Sequence, residues 1–249
     1  MDITGKNIIV TGGANGIGYR LVLDLLQEGA NVCVIDIDQA RLADLASQRD
    51  RVITVDCDLT HALEVEACIE SIFSKWQCID ILVNNAGVLH SSPLVSFSPD
   101  GIKKHLLGDW DKIISANLSS VFYITVCVAE KMLLKRTRGV IVNISSISAN
   151  GNAGQTAYSA AKAGVNALTA TWSKELGMFG IRTVGISPGF INTESTHKIL
   201  RESAIKTITD KVPLRKLGEV HDISSGIISV IKNDFINGKV IEIDGGLTI

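Results

Sequence analysis

The chain has 249 residues, 46% of them hydrophobic and 20% charged, with a formal net charge of -2. A balance this near neutral excludes the basic face that nucleic-acid binding needs, and no basic tract or acidic tail suggests a polyelectrolyte partner. The length permits one or two domains and buries a large core without staples.

Taken in order, apolar runs of strand length alternate with helical patterns. Residues 6–10 read as a strand, and 17–28 as a helix that Gly29 closes. Residues 31–36 form a second strand, 39–48 a helix, 51–56 a third strand and 61–76 a helix. A fourth strand covers 79–83, a long helix lies within 110–136, and 139–144 is a fifth strand. Residues 156–179 are helical, 181–187 a sixth strand, 219–231 a helix and 239–243 a last short strand. The strands are continuous apolar runs, which predicts burial on both faces. Their alternation with helices predicts a parallel sheet covered on both sides. One α/β domain, a doubly wound Rossmann fold with a parallel seven-stranded sheet, is expected over residues 1–249.

Two stretches leave this pattern. Residues 88–108 are rich in Ser, Pro and Gly, and residues 190–213 are polar and weakly amphipathic. Both follow strands, on the side where such sheets bind ligands. His90, Leu94, Phe97 and His105 are candidates to reach a pocket, and a surface excursion accounts for them equally well. Residues 195–211 are expected to form a mobile lid.

The start, Met1-Asp2-Ile3-Thr4, lacks the basic and apolar regions of a signal peptide. The apolar segment 121–134 is broken by Glu130 and Lys131 and is expected to be too short to cross a bilayer. Cys33, Cys57, Cys68, Cys78 and Cys127 contain no CxxC and are expected to be buried free thiols, which fits the cytoplasm. The histidines show no metal-ligand spacing, and no metal site is expected.

After the first strand comes Thr11-Gly12-Gly13-Ala14-Asn15-Gly16-Ile17-Gly18, opening a helix. Glycines 12, 16 and 18 permit a tight turn, close approach of a pyrophosphate and close helix–strand packing, and the helix N-terminus offers free N–H groups. Asp36 closes the second strand twenty residues after Gly16, where a carboxylate accepts hydrogen bonds from an adenosine ribose and repels a 2′-phosphate. No Arg or Lys lies in the glycine loop, so NAD is favoured over NADP. Tyr158 and Lys162 are four apart, one helical turn, so an ammonium can favour the phenolate and lower a tyrosine pKa of about 10.

In these motifs the whole chain resembles the short-chain dehydrogenase/reductase family in its single-domain form. The family's glycine-rich segment stands at Thr11 to Gly18, its Asn-Asn-Ala-Gly at Asn84 to Gly87, its Tyr-x-x-x-Lys at Tyr158 and Lys162, and its Pro-Gly at Pro188 and Gly189. The resemblance implies hydride transfer between NAD(H) and a secondary alcohol or ketone. Tyr158 would be the general acid/base, helped by Lys162, with Asn117 supporting a water in a proton relay. It further implies that Asn15, Gly16, Ile17 and Gly18 hold the cofactor with Gly12, that Asp58 and Leu59 meet its adenine, and that Asn85, Ala86 and Gly87 line its centre. Pro188 and Gly189 would bind the cofactor, and Ile191 and Thr193 would meet its carboxamide. The family serine usually lies thirteen residues before the tyrosine, which is Ser145, yet in Asn143-Ile144-Ser145-Ser146 the second serine normally acts. Strand-end geometry selects Ser146.

The resemblance implies a homotetramer or homodimer paired through the helices of 110–136 and 156–179, with the tail 245–249 apolar enough to pack against a neighbour. Two other functions compete. The segment 151–163 resembles reductases of 3-oxoacyl thioesters, which usually take NADPH and are opposed by Asp36. A dinucleotide-binding protein without turnover is the third reading.

Overall fold

The computed structural model describes residues 1–47 and 51–248. The parallel sheet contains β1 (Asn7–Thr11), β2 (Asn31–Asp36), β3 (Val52–Asp56), β4 (Ile81–Asn84), β7 (Val140–Ile144), β8 (Arg182–Pro188) and β9 (Val240–Ile243). Their order is β3-β2-β1-β4-β7-β8-β9, and each neighbouring pair is parallel.

Continuous apolar strands feed two cores, one on each face. In β1, Ile8 and Val10 join the cluster under α1 (Gly16–Gln27) and α9 (Val220–Lys232), whereas Ile9 joins the cluster under α3 (Ala62–Trp76) and α5 (Ser120–Leu134). This is the period of two along a strand buried on both sides. The order of strands reverses between β1 and β4, which opens a crevice at their carboxyl ends. Beneath it, the buried Asn84 Nδ2 donates to Thr125 Oγ1 (2.9 Å) and Asn143 Oδ1 (2.8 Å). Asn143 Nδ2 donates in turn to Thr169 Oγ1 (2.9 Å) on α6 (Thr156–Gly177), tying β4, β7 and two helices together under the crevice.

Several expectations change. The segment 88–108 is not all loop: β5 (Val95–Ser98) and β6 (Gly101–Lys104) form an antiparallel hairpin. Phe97 is 87% exposed and Leu94 68%, so the surface excursion is what the structure shows for both. His90 and His105 pack edge to face at its root, with ring centroids 6.4 Å apart. The long helix starts earlier than expected. It runs through α4 (Leu107–Ile114), one π turn (Ser115–Ser119) and α5. At 28 residues from Leu107 to Leu134 it is long and apolar enough to cross a membrane, which corrects the expectation that it is too short. Its Val121, Ile124, Val128 and Met132 are buried in the domain's own cores, which accounts for that apolar face.

Residues 190–213 hold two short helices, α7 (Glu194–Ile199) and α8 (Glu202–Lys211). The helix expected to end at Gln48 is described as α2 (Gln39–Ser47), and Gln48 and Ile249 lie outside the described residues.

Candidate active site

The turn after β1 is shaped by its glycines. Gly12 has φ +62, and a Cβ there would stand 2.8 Å from Ala86 Cα, so only glycine fits. A Cβ at Gly18 would stand 2.1 Å from Gly12 O, so Gly18 packs behind the turn and does not line the crevice. Gly16 has φ +54 and starts α1, whose cap Asn15 accepts from Gly16 N at 2.7 Å. From the other side, Asn85 Nδ2 donates to Thr11 O and Gly12 O (3.0 Å each), while Thr11 Oγ1 accepts from Asn85 N and Ala86 N (3.0 Å each). The two loops at the strand-order reversal are therefore locked to each other.

Together they wall a cleft of about 640 Å³. Gly12, Asn15, Gly16, Ile17, Asp36, Asp58, Leu59, Asn85, Ala86, Gly87 and Thr193 line it. The Asp36 carboxylate is fixed by Ala14 N (3.0 Å), Ile37 N (2.8 Å) and Asp38 N (3.2 Å). The Asp58 carboxylate accepts from Thr60 N (2.9 Å) and Thr60 Oγ1 (2.7 Å), which hold it below the usual carboxylate range. Arg41 is spent on Asp38 (3.3 Å) and on Glu194 (3.1 Å) of α7. Lys112, from α4, is a basic lining residue. A glycine-lined trough at a helix N-terminus, with an anchored carboxylate at its far end, fits a dinucleotide.

A second cavity of about 440 Å³ adjoins it, lined by Ser146, Tyr158, Lys162, Asn117, Pro188, Gly189 and Ile191 among others. Ser145 also borders this cavity, but its Oγ is engaged behind the wall, donating to Asn166 Oδ1 at 2.5 Å with Lys162 O at 3.4 Å. Ser146 and Tyr158 both face the cavity, and Ser146 Oγ accepts from Ser148 N at 3.1 Å. Lys162 is buried and donates from Nζ to Ile144 O at 2.8 Å. Its Nζ lies 5.8 Å from the Tyr158 ring centroid, and burial pulls its pKa down to about 8.

The expected depression of the Tyr158 pKa is absent from the chain by itself. Burial holds the phenol above its ordinary value of 10.0, against a smaller opposing effect from Ser146. Asn117, in the π turn, is fully buried. Its Oδ1 accepts from Val88 N (3.1 Å), and its Nδ2 donates to Val88 O (3.1 Å) and Ile113 O (3.0 Å). The side chain thus pins the loop after β4 to the long helix. Gly87 makes this possible, since a Cβ there would lie 2.6 Å from Asn117 Oδ1.

Gln155 was not singled out by sequence. It lines the second cavity one turn before Tyr158, and its Oε1 accepts from Ser148 Oγ (2.7 Å) and Asn152 Nδ2 (3.2 Å). No group among the described residues hydrogen-bonds its Nε2. Among the described residues, no group of three His, Cys, Asp or Glu side chains could hold a metal ion.

Residues 6–204 match a family profile described as short chain dehydrogenase. A 3-oxoacyl-(acyl-carrier-protein) reductase of Thermotoga maritima is 37% identical over the whole of both chains. A sorbitol-6-phosphate 2-dehydrogenase of Klebsiella pneumoniae is 35% identical, covering 100% of this chain and 98% of its own. A human (3R)-3-hydroxyacyl-CoA dehydrogenase is 33% identical, over 96% of this chain and 94% of its own. Among solved structures, a 7α-hydroxysteroid dehydrogenase with NADH and 7-oxo glycochenodeoxycholic acid superposes with a TM-score of 0.91 at 27% identity, covering 99% of this chain and 95% of that one. With these motifs in register on this sheet, the chain belongs to the short-chain dehydrogenase family, oxidoreductases that act on CH–OH groups with a nicotinamide dinucleotide.

Proposed function

We propose that the protein interconverts a secondary alcohol and its ketone with NAD(H), and that the ketone is the 3-oxo group of an acyl thioester. The observation that carries the reading is Tyr158 and Ser146 facing one cavity that opens onto the glycine-lined cleft. A bound nicotinamide supplies or accepts the hydride. The chain manages orientation and the proton. Ser146 and the Tyr158 hydroxyl donate to the substrate oxygen, where negative charge develops during reduction. Tyr158 gives up its proton to that oxygen and takes it back in the oxidative direction. The Lys162 ammonium favours the phenolate.

Within a mostly apolar lining, Gln155 favours a substrate with a second acceptor. Gln155 is 8% exposed, and its free Nε2 lies one turn from Tyr158. Residues i and i+3 on a helix sit about 5–6 Å apart at Cβ, which suits a ketone and a thioester carbonyl two carbons away. The similarity to a 3-oxoacyl carrier-protein reductase and a 3-hydroxyacyl-CoA dehydrogenase supports the same choice. Asp36 supports NAD(H), because its carboxylate would repel a 2′-phosphate. The five cysteines are all free, which supports a reducing compartment, the cytoplasm. The segment 190–213 serves as a lid, and hydrogen exchange over 195–211 slows when NAD(H) binds.

The decisive experiment follows NADH and NADPH oxidation with 3-oxoacyl thioesters, and NAD and NADP reduction with polyols, hydroxy acids and hydroxysteroids. We expect NADH-driven reduction of the thioesters, with Gln155→Leu raising KM for them roughly tenfold, the loss of one hydrogen bond. Turnover confined to NADPH overturns the cofactor assignment. Turnover confined to polyols or steroids overturns the thioester, and dinucleotide binding with no turnover supports the non-catalytic reading.

A further inference from the structure

The adenosine end of the cleft carries a cation that is held along its rim. Asp36 closes β2 and lines the cleft, and its Oδ1 accepts from Asp38 N at 3.2 Å. Asp38 in turn holds Arg41 of α2: its Oδ1 accepts from Arg41 N at 3.1 Å, and its Oδ2 lies 3.3 Å from Arg41 Nε. The far side of the guanidinium donates from Nη2 to Glu194 Oε2 at 3.1 Å. Asp38 and Glu194 each follow a residue that lines the cleft, Ile37 and Thr193, so Arg41 joins the end of β2 to the start of the lid. Lys198 Nζ, at 2.6 Å, is a second cation on Glu194. At this rim the carboxylates of Asp36, Asp38 and Glu194 outnumber the cations of Arg41 and Lys198.

We propose that Asp38 and Glu194 are specificity-determining residues: by holding Arg41 between them, they keep its guanidinium from a 2′-phosphate and reinforce the choice of NAD(H). The inference rests on the dinucleotide reading of the cleft. A guanidinium is a planar, permanently charged fork suited to phosphate, and Arg41 stands just past the strand end where an adenosine ribose would lie. Left free, it would offer N–H donors to a 2′-phosphate there and offset the repulsion by Asp36. In this chain the donors are already engaged, Nε with Asp38 and Nη2 with Glu194. A 2′-phosphate would have to displace both carboxylates while entering beside a third. The 2′-hydroxyl of NAD(H) asks nothing of Arg41. Selection is thereby divided: Asp36 repels the phosphate, and Asp38 with Glu194 withholds the group that would compensate.

The test titrates NADH and NADPH by fluorescence into wild type, Arg41→Ala, the pair Asp38→Asn with Glu194→Gln, and all three changes together. The asparagine keeps an oxygen for Arg41 N, and the three side chains are at least 41% exposed, so the fold should persist, which melting temperature checks. The paired variant should bind NADPH roughly tenfold more tightly, a charge-assisted hydrogen bond gained, with NADH nearly unchanged. Arg41→Ala should leave NADPH binding nearly unchanged in wild type and abolish the gain in the paired variant. That coupling separates a released guanidinium from mere loss of negative charge. Equal effects of Arg41→Ala on NADPH in the two backgrounds overturn the proposal: if large, Arg41 already meets the phosphate, and if nil, it is out of reach. If Arg41→Ala weakens NADH and NADPH alike, Arg41 clasps the lid and selects nothing. A wild type that prefers NADPH overturns the NAD(H) reading of Asp36, while the coupling still decides whether Arg41 is withheld. A protein that binds neither overturns the dinucleotide reading and this proposal with it.

Discussion

Lys162 carries an ammonium into a place where 4% of its surface is exposed, and burial lowers its pKa from 10.5 to about 8. Between those two values the unfolded chain holds a proton that the folded chain has lost, so this group makes stability rise with pH across that window. Below pH 8 both states are charged and the full cost opposes folding, on the order of 3 kcal/mol at about 1.36 kcal/mol per pKa unit. Urea unfolding of wild type and Lys162→Met at pH 7.5 and 10.5 isolates it. The difference between them should move in favour of wild type by about 3 kcal/mol, and a difference that does not change with pH would refute the assignment.

The two serines divide in the same local way. Ser146→Ala should lower kcat by roughly 10²–10³, as the loss of one donor to a developing oxyanion does. Ser145→Ala should spare turnover but cost about 1–3 kcal/mol, because Asn166 is left without its partner. That the two serines differ in orientation was legible from the strand end, since one residue of slip along an extended chain reverses the side chain. The raised Tyr158 pKa was not, because depth of burial is a tertiary quantity. Gln155 was missed for a related reason: its anchor, Ser148, is held seven residues away by a turn that carries no periodic signal.

Among the elements, the turn after β1 is the most exacting. At Gly18 an added methyl meets Gly12 O at 2.1 Å, against backbone that cannot swing aside. Gly18→Ala should therefore destabilise the fold by about 1–3 kcal/mol, the usual cost of overpacking, and weaken dinucleotide binding. Melting temperature and fluorescence titration would check both. Strands and helices were readable because each is specified by its own pattern: unbroken apolar runs for β1, β2 and β4, and helical spacing for α1 and α3. The π turn was not, since Asn117 makes it useful only by reaching Val88 and Ile113. The hairpin could have been found. Val95-Ser96-Phe97-Ser98 alternates apolar and polar, and Pro99-Asp100-Gly101 is strong turn chemistry.

For the whole molecule, the outer side of the long helix is informative. Phe122 is 47% exposed and Val126 51%, one turn apart, with Leu133 and Trp110 each 38% exposed on the same continuous helix. We propose that a second copy covers this side, in keeping with the paired helices implied by the family. Light scattering at micromolar concentration should give a mass two or four times that of one chain, reduced by Phe122→Asp with Val126→Asp. A single monomeric mass for wild type would dispose of the idea.

The cleft and the smaller cavity share Ile17, Asn85, Gly87, Val88 and Thr193. A dinucleotide lying along the cleft would bring its reactive ring to that shared wall and complete one side of the smaller cavity. Steady-state kinetics should accordingly be compulsory-ordered, with the dinucleotide entering first and leaving last, and a dead-end thioester analogue should inhibit uncompetitively against NADH.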